Sequence, residues 1–170
     1  MNRILALFAA IILAGCSAKY NTNNIQNTSE LLLKDLPIAI TSPVDGVYET
    51  TTYAGSGGAT SAAVKAAFLR HTDKVKVYPD CEDVDCLKNK HAISRGYYVV
   101  PNILHWEDRA TEWSGIPDRI EIKITVYNAE TNNRVASTII SGKSKWATFG
   151  GDHPQDLLPD PVNAYISSLY

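Results

Sequence analysis

The sequence predicts an α+β fold, a mixed sheet of about five strands with helices packed mainly on one face. Three observations lead there. Residues 120–127 alternate strictly, with Ile120, Ile122, Ile124 and Val126 on one side and Glu121, Lys123 and Thr125 on the other, as in a half-buried strand. Residues 59–71 place Val64, Ala67, Phe68 and His71 at helical spacing, between two short β-prone runs. Three consecutive strand-like segments then fill residues 97–146, where antiparallel pairing is the economical arrangement.

Taken in chain order, residues 17–29 are polar and Asn-rich and read as a flexible tether of roughly 20 Å. Residues 36–41 form a first strand entered through Pro37. Residues 42–58 hold Pro43, Asp45, Gly46, Gly55, Gly57 and Gly58 and read as a long loop, with the Thr- and Tyr-rich stretch 47–53 as an alternative strand. Thr60 or Ser61 is expected to cap the helix over 59–71. A strand over 74–78 and a weaker helix over 84–93 follow. Gly96 opens the next strand, which runs past Pro101, where a bulge or a sheet edge is expected, to Trp106. Residues 128–133 turn the chain into a returning strand over 134–146. Asp160 at the N-cap and Pro161 at the first helical position start a terminal helix carrying Val162, Tyr165, Ile166 and Leu169. The order is strand, helix, strand, helix, three strands, helix.

The chain has 170 residues, a net charge of −2 and 45% hydrophobic residues. That composition excludes wholesale disorder, and the length suits one domain. The near-neutral charge offers no broad basic surface, so no nucleic-acid partner is expected. Arg3 is the only charge before Cys16, and the apolar run over residues 4–15 is too short to span a membrane. The run closes on Leu13-Ala14-Gly15-Cys16, which resembles the lipobox of bacterial lipoproteins. The resemblance implies cleavage before Cys16 and acylation of its thiol and new amine, which divides the chain into a signal peptide (1–15), lipidated Cys16 with a tether (16–29) and one α+β domain (30–170). In lipoproteins of this kind Asp after the Cys favours inner-membrane retention, so the resemblance implies that Ser17 directs delivery to the outer membrane, with the domain facing the periplasm.

With Cys16 lipidated, two thiols remain, Cys81 and Cys86, close in sequence and exported to a compartment where disulfides persist. They are expected to pair; a metal site built with Glu82, Asp83 and Asp85 is the competing reading, although zinc- and calcium-type spacings are missing. His71, His91, His105 and His153 share no ligand motif, and no metal or cofactor is expected. Gly55-Ser56-Gly57-Gly58 before a helix suggests a weak phosphate cradle, against plain turn chemistry. Gly142-Lys143-Ser144 resembles only the tail of a phosphate-binding loop. No Gly-x-Ser-x-Gly elbow occurs, and no residue is assigned a catalytic role.

The most distinctive segment is 106–115, with Trp106, Glu107, Asp108, Arg109, Glu112 and Trp113 beside Gly115. Aromatic and Arg side chains at a strand end suit a recognition surface, with Trp106 plugging the core as the structural alternative. Together with Tyr48, Tyr53 and Ser56 these residues form the expected binding surface on two loops. The lipobox, Tyr53-Ala54-Gly55-Ser56-Gly57, the Cys pair, residues 106–115 and residues 144–154 together resemble a family of proteobacterial lipoproteins known only as a domain of unknown function. The element order is also similar to envelope lipoprotein domains that act by binding, such as activators of penicillin-binding proteins and the amino-terminal domain of the Tol translocation protein. The expectation is a non-enzymatic periplasmic accessory module, held to the membrane by lipid, that binds an envelope protein or cell-wall partner. The alternatives are a cell-wall glycan hydrolase using a carboxylate pair such as Glu107 and Glu112, or a small-ligand carrier.

Overall fold

The alternating run over 120–127 becomes the centre of a six-stranded sheet, seen in a computed structural model that describes residues 18–28, 30–109, 116–144 and 153–170. The elements are β1 (Lys19–Gln26), β2 (Ile38–Thr41), β3 (Val47–Tyr48), β4 (Thr51–Thr52), α1 (Ser56–Phe68), β5 (Val75–Tyr78), α2 (Val84–Lys90), β6 (Tyr97–Glu107), β7 (Arg119–Asn128), β8 (Arg134–Lys143), a 3-10 turn (Pro154–Leu157) and α3 (Pro159–Ser167). The sheet order is β1-β8-β7-β6-β2-β5, and β3 and β4 form a separate small hairpin. β1, β8, β7 and β6 pair antiparallel, whereas β2 pairs parallel with both β6 and β5.

Ile120, Ile122, Ile124 and Val126 are all at most 2% exposed and meet Val64, Ala67 and Phe68 of α1 and Val162, Tyr165 and Ile166 of α3. Each such side chain removes enough apolar surface from water to contribute about 1.5–3 kcal/mol. On the other face Ala39 and Tyr98 pack with Cys81 and with Leu87 of α2 in a second, smaller cluster. The helices divide this way for a topological reason. The β2-α1-β5 crossover moves toward one sheet edge and the β5-α2-β6 crossover moves back past β2. Crossovers of the same hand running in opposite directions put their helices on opposite faces. Cys81 and Cys86 are joined in a disulfide, with Cα atoms 5.4 Å apart, at the start of α2.

Several boundaries differ from the sequence expectations. Lys19–Gln26, expected within the flexible tether, is an edge strand in register with β8 from Lys19↔Lys143 to Gln26↔Ser137. Gly142 makes room for it: a Cβ there would lie 3.3 Å from Tyr20 and 3.4 Å from Leu157. The side chains of Thr138 and Gln26 add bonds to the Asn23 carbonyl (3.1 Å) and the Arg134 carbonyl (2.8 Å), so the backbone ladder and polar side chains, rather than apolar burial, order this strand. α1 begins at Ser56, and Thr60 and Ser61 sit inside it, donating back to the carbonyls of Ser56 and Gly57 instead of capping it. His71 lies beyond its end. The expected bulge is at Leu104, between Ile103 and His105, and not at Pro101; Pro101 sits beyond Val99, the last β6 residue paired with β2. Asp160 occupies the first turn of α3, whose N-cap is Leu158.

Candidate functional site

The C-terminal ends of β2 and β6 and the N-terminal ends of β1 and β7 lie at one end of the sheet, so both loops predicted as a surface emerge together. β2 pairs only with Tyr97–Val99 of β6. The 42–55 loop lies against the remainder of β6, and Gly46 approaches so closely that a Cβ would lie 2.6 Å from the Trp106 Cβ. The bulge at Leu104 shifts the alternation by one. Trp106 therefore turns into the core, 3% exposed, while His105 and Glu107 turn to the opposite face.

On that opposite face a compact polar cluster forms. The Glu107 side chain is 3% exposed and accepts a hydrogen bond from His105 Nε2 (3.1 Å) and another from the Arg109 guanidinium. The edge of Tyr48 meets the His105 ring with centroids 5.0 Å apart, and Arg109 Cζ lies 5.7 Å from the Tyr48 ring centre. The backbone N–H of Arg109 donates to Asp118 (2.6 Å). Burial pushes the Glu107 carboxyl up, but the bonds from His105 and Arg109 and the Arg109 charge outweigh it and hold the carboxyl below its ordinary value. Glu107 is thus a charged acceptor satisfied by two donors.

On the core side of the same strand end, Tyr53, Ser56, Trp106, Asp108 and His153 line a groove of about 580 Å³. His153 Nδ1 lies 3.8 Å from Asp108, joining the start of the 3-10 turn to the end of β6. Ser56 is only 4% exposed: its hydroxyl accepts from the Gly46 N–H (2.8 Å) and lies 3.4 Å from Asp45 Oδ1. The carboxylate of Asp45 accepts from the N–H groups of Gly55 (3.0 Å) and Gly57 (2.8 Å), which hold its pKa down. The glycine run at the start of α1 is therefore occupied by the protein's own anion and is not a phosphate cradle. Gly57 is required by proximity, since a Cβ would lie 2.1 Å from the Pro43 carbonyl oxygen.

Cys81 and Cys86 are paired as expected, which takes the thiolates away from the competing metal reading. Asp80, Cys81 and His91 converge within 4.8 Å, but the Cys81 sulfur is spent in the disulfide and Asp80 is held by His91 at 3.0 Å and Lys90 at 3.6 Å. Of the other predicted site residues, Tyr48, Glu107 and Arg109 come together as one cluster, and Tyr53, Ser56, Trp106 and Asp108 border the groove. Cys16, Glu112 and Trp113 lie outside the described residues. Sequence reasoning missed His105 and Asp45. The bulge that exposes His105 has no local signature, and Asp45 reaches its helix from ten residues away.

No curated protein matches the chain. Among solved structures it is similar to the PelC dodecamer from Paraburkholderia phytofirmans, in one crystal form with 11% identity over 90% of this chain and 94% of that one at a TM-score of 0.56, and in another with 12% identity, 90% and 91% coverage and a TM-score of 0.55. A lipoprotein from Neisseria meningitidis aligns at 14% identity over 78% of this chain and 96% of that one, at a TM-score of 0.45. The PelC likeness is one of fold. A family model matches residues 30–169, nearly the whole folded region, and the chain belongs to that family, the Domain of unknown function DUF4823.

Proposed function

We propose that this protein is a lipid-anchored accessory module of the bacterial envelope, held by Cys16 to the outer membrane, that binds an envelope protein or cell-wall partner through the loop-bearing end of its sheet. The observation that carries this reading is the convergence of Tyr48, His105, Glu107 and Arg109, which sets an aromatic ring and a guanidinium side by side at the mouth of two loops. Such pairs are frequent anchors of protein interfaces. Glu107, charged and held by two donors, supports a positioning role over proton transfer, because a glycosidase acid must stay protonated near neutral pH.

The test is a photo-crosslinking amino acid at Tyr48 in the living cell, with one at exposed Lys65 on α1 as the control. A defined adduct from Tyr48, absent from Lys65 and abolished by Arg109→Ala in a folded protein, is expected. Equal adducts from both positions would sink the surface assignment. Palmitate labelling lost in Cys16→Ser is expected for the anchor. Because the structurally similar PelC chain is a dodecamer, light scattering on the purified chain is the companion measurement, and it decides whether this chain also self-associates.

A further inference from the structure

The last row of paired residues at this end of the sheet is unusual. Lys19 of β1 stands opposite Lys143 of β8, and Lys143 stands opposite Arg119 of β7. Side chains so paired point to the same face, with Cβ atoms about 4.5–5.5 Å apart, and like charges in that arrangement repel. All three are exposed, and none makes an ion pair or a side-chain hydrogen bond among the described residues. The acid opposite Arg119 is Glu107, which is already taken by His105 and Arg109. One further acid, Glu121, borders the same groove of about 570 Å³, and Lys123 follows on the same face. Leu104, pushed out by the bulge and 48% exposed, adds an apolar side chain beside the cations. A row of three cations that outnumbers the one acid bordering it, beside an exposed leucine, matches an anionic, interfacial ligand.

The position of the row says which one. Only Ser17 and Ala18 separate Lys19 from Cys16, so three Cα steps place Lys19 within about 11 Å of the acylated residue. Because β1 is paired from Lys19 onward, the cations cannot drift away on a long tether.

We propose that Lys19, Lys143 and Arg119 form a seat for the phosphate headgroups of the membrane that carries the Cys16 lipid. This rests on the anchor proposed above. The chemistry is charge pairing of ammonium and guanidinium groups with phosphate, with no covalent step.

The test is lysine footprinting by an amine-reactive reagent, read by mass spectrometry, on the full chain purified from the envelope. It is reconstituted in nanodiscs of phosphatidylcholine alone and of phosphatidylcholine mixed with phosphatidylglycerol. Labelling of Lys19 and Lys143 should slow about fivefold in the anionic discs and recover in high salt, while Lys65 stays unchanged. In Arg119→Glu the protection of both lysines should fall; Arg119→Gln, which keeps the strand polar, should lower it by less. Equal labelling in both discs overturns the proposal. Equal protection by inorganic phosphate in phosphatidylcholine discs overturns the headgroup assignment in favour of a free anion. A chain that carries no palmitate but is protected on added anionic vesicles keeps the site and removes the anchor, so the two readings fail separately.

Discussion

Asp45 and Gly57 show how a single residue fixes the start of α1. The carboxylate satisfies two of the orphan N–H groups at the helix start, and the glycine lets the Pro43 carbonyl approach. Asp45→Ala is expected to cost about 0.5–2 kcal/mol, as for the loss of an N-cap. Gly57→Ala forces the loop off the helix and is expected to cost about 1–3 kcal/mol, read with Asp45→Ala by urea unfolding. Tyr165 makes the opposite case. Its hydroxyl is buried without a hydrogen-bond partner among the described residues, and burial pushes its pKa up to about 12. Tyr165→Phe should therefore leave stability unchanged or raise it by about 1 kcal/mol. At this scale the sequence was informative about residue types and silent about partners. Gly55, Ser56 and Gly57 stood out, but the anion they bind lies on another segment and left no mark in local spacing. Trp106 was legible as important, and only the bulge decides that it faces the core.

Elements with strong periodicity were readable, and those held by hydrogen bonds rather than apolar burial were not. β7 declared itself through four alternating apolar residues, and α3 through Val162, Tyr165 and Ile166. β1 has an exposed, Asn-rich face and no apolar period, so composition pointed to a tether while the ladder with β8 made a strand. Hydrogen exchange checks this directly. Amides of β1 that donate to β8 should exchange far more slowly than those of residues 27–28, and uniformly fast exchange across Lys19–Gln26 would contradict the strand. α2 is held differently, with Leu87 in the smaller cluster and the disulfide closing its first turn. Replacing both cysteines by Ala is expected to cost about 2 kcal/mol, the loop-entropy value for so short a ring, with the loss of protection concentrated in α2.

The whole molecule carries its pH response in these same groups. Asp45, Asp80 and Glu107 all have folded pKa values below their ordinary ones. A depressed carboxyl adds stability that is present above its unfolded value and lost as pH falls through the folded value. Stability should therefore fall below about pH 4, and Asp45→Asn should flatten that limb in thermal melts across pH. At the other extreme Tyr165 and Tyr170 are raised to about 12 by burial. Their contribution is full below the ordinary phenol value and is lost as pH rises through the folded one, so a second fall is expected above about pH 10. The mixed topology was legible as a class from the element order. The placement of α2 on the far face was not, because it follows from β5 and β6 lying on opposite sides of β2, a long-range fact that no window of sequence contains.

The disulfide also has a direction of attack. Cys81 is 1% exposed inside the smaller cluster, while Cys86 is half-buried at the surface. An incoming thiolate can reach only the Cys86 sulfur, and the departing sulfur is then that of Cys81, whose apolar surroundings disfavour the thiolate it must become. A small thiol reagent is thus expected to form its mixed adduct on Cys86 and to be expelled as Cys81 closes the ring again, leaving the bond chemically ordinary but kinetically shielded for as long as the fold around Leu87 stays shut.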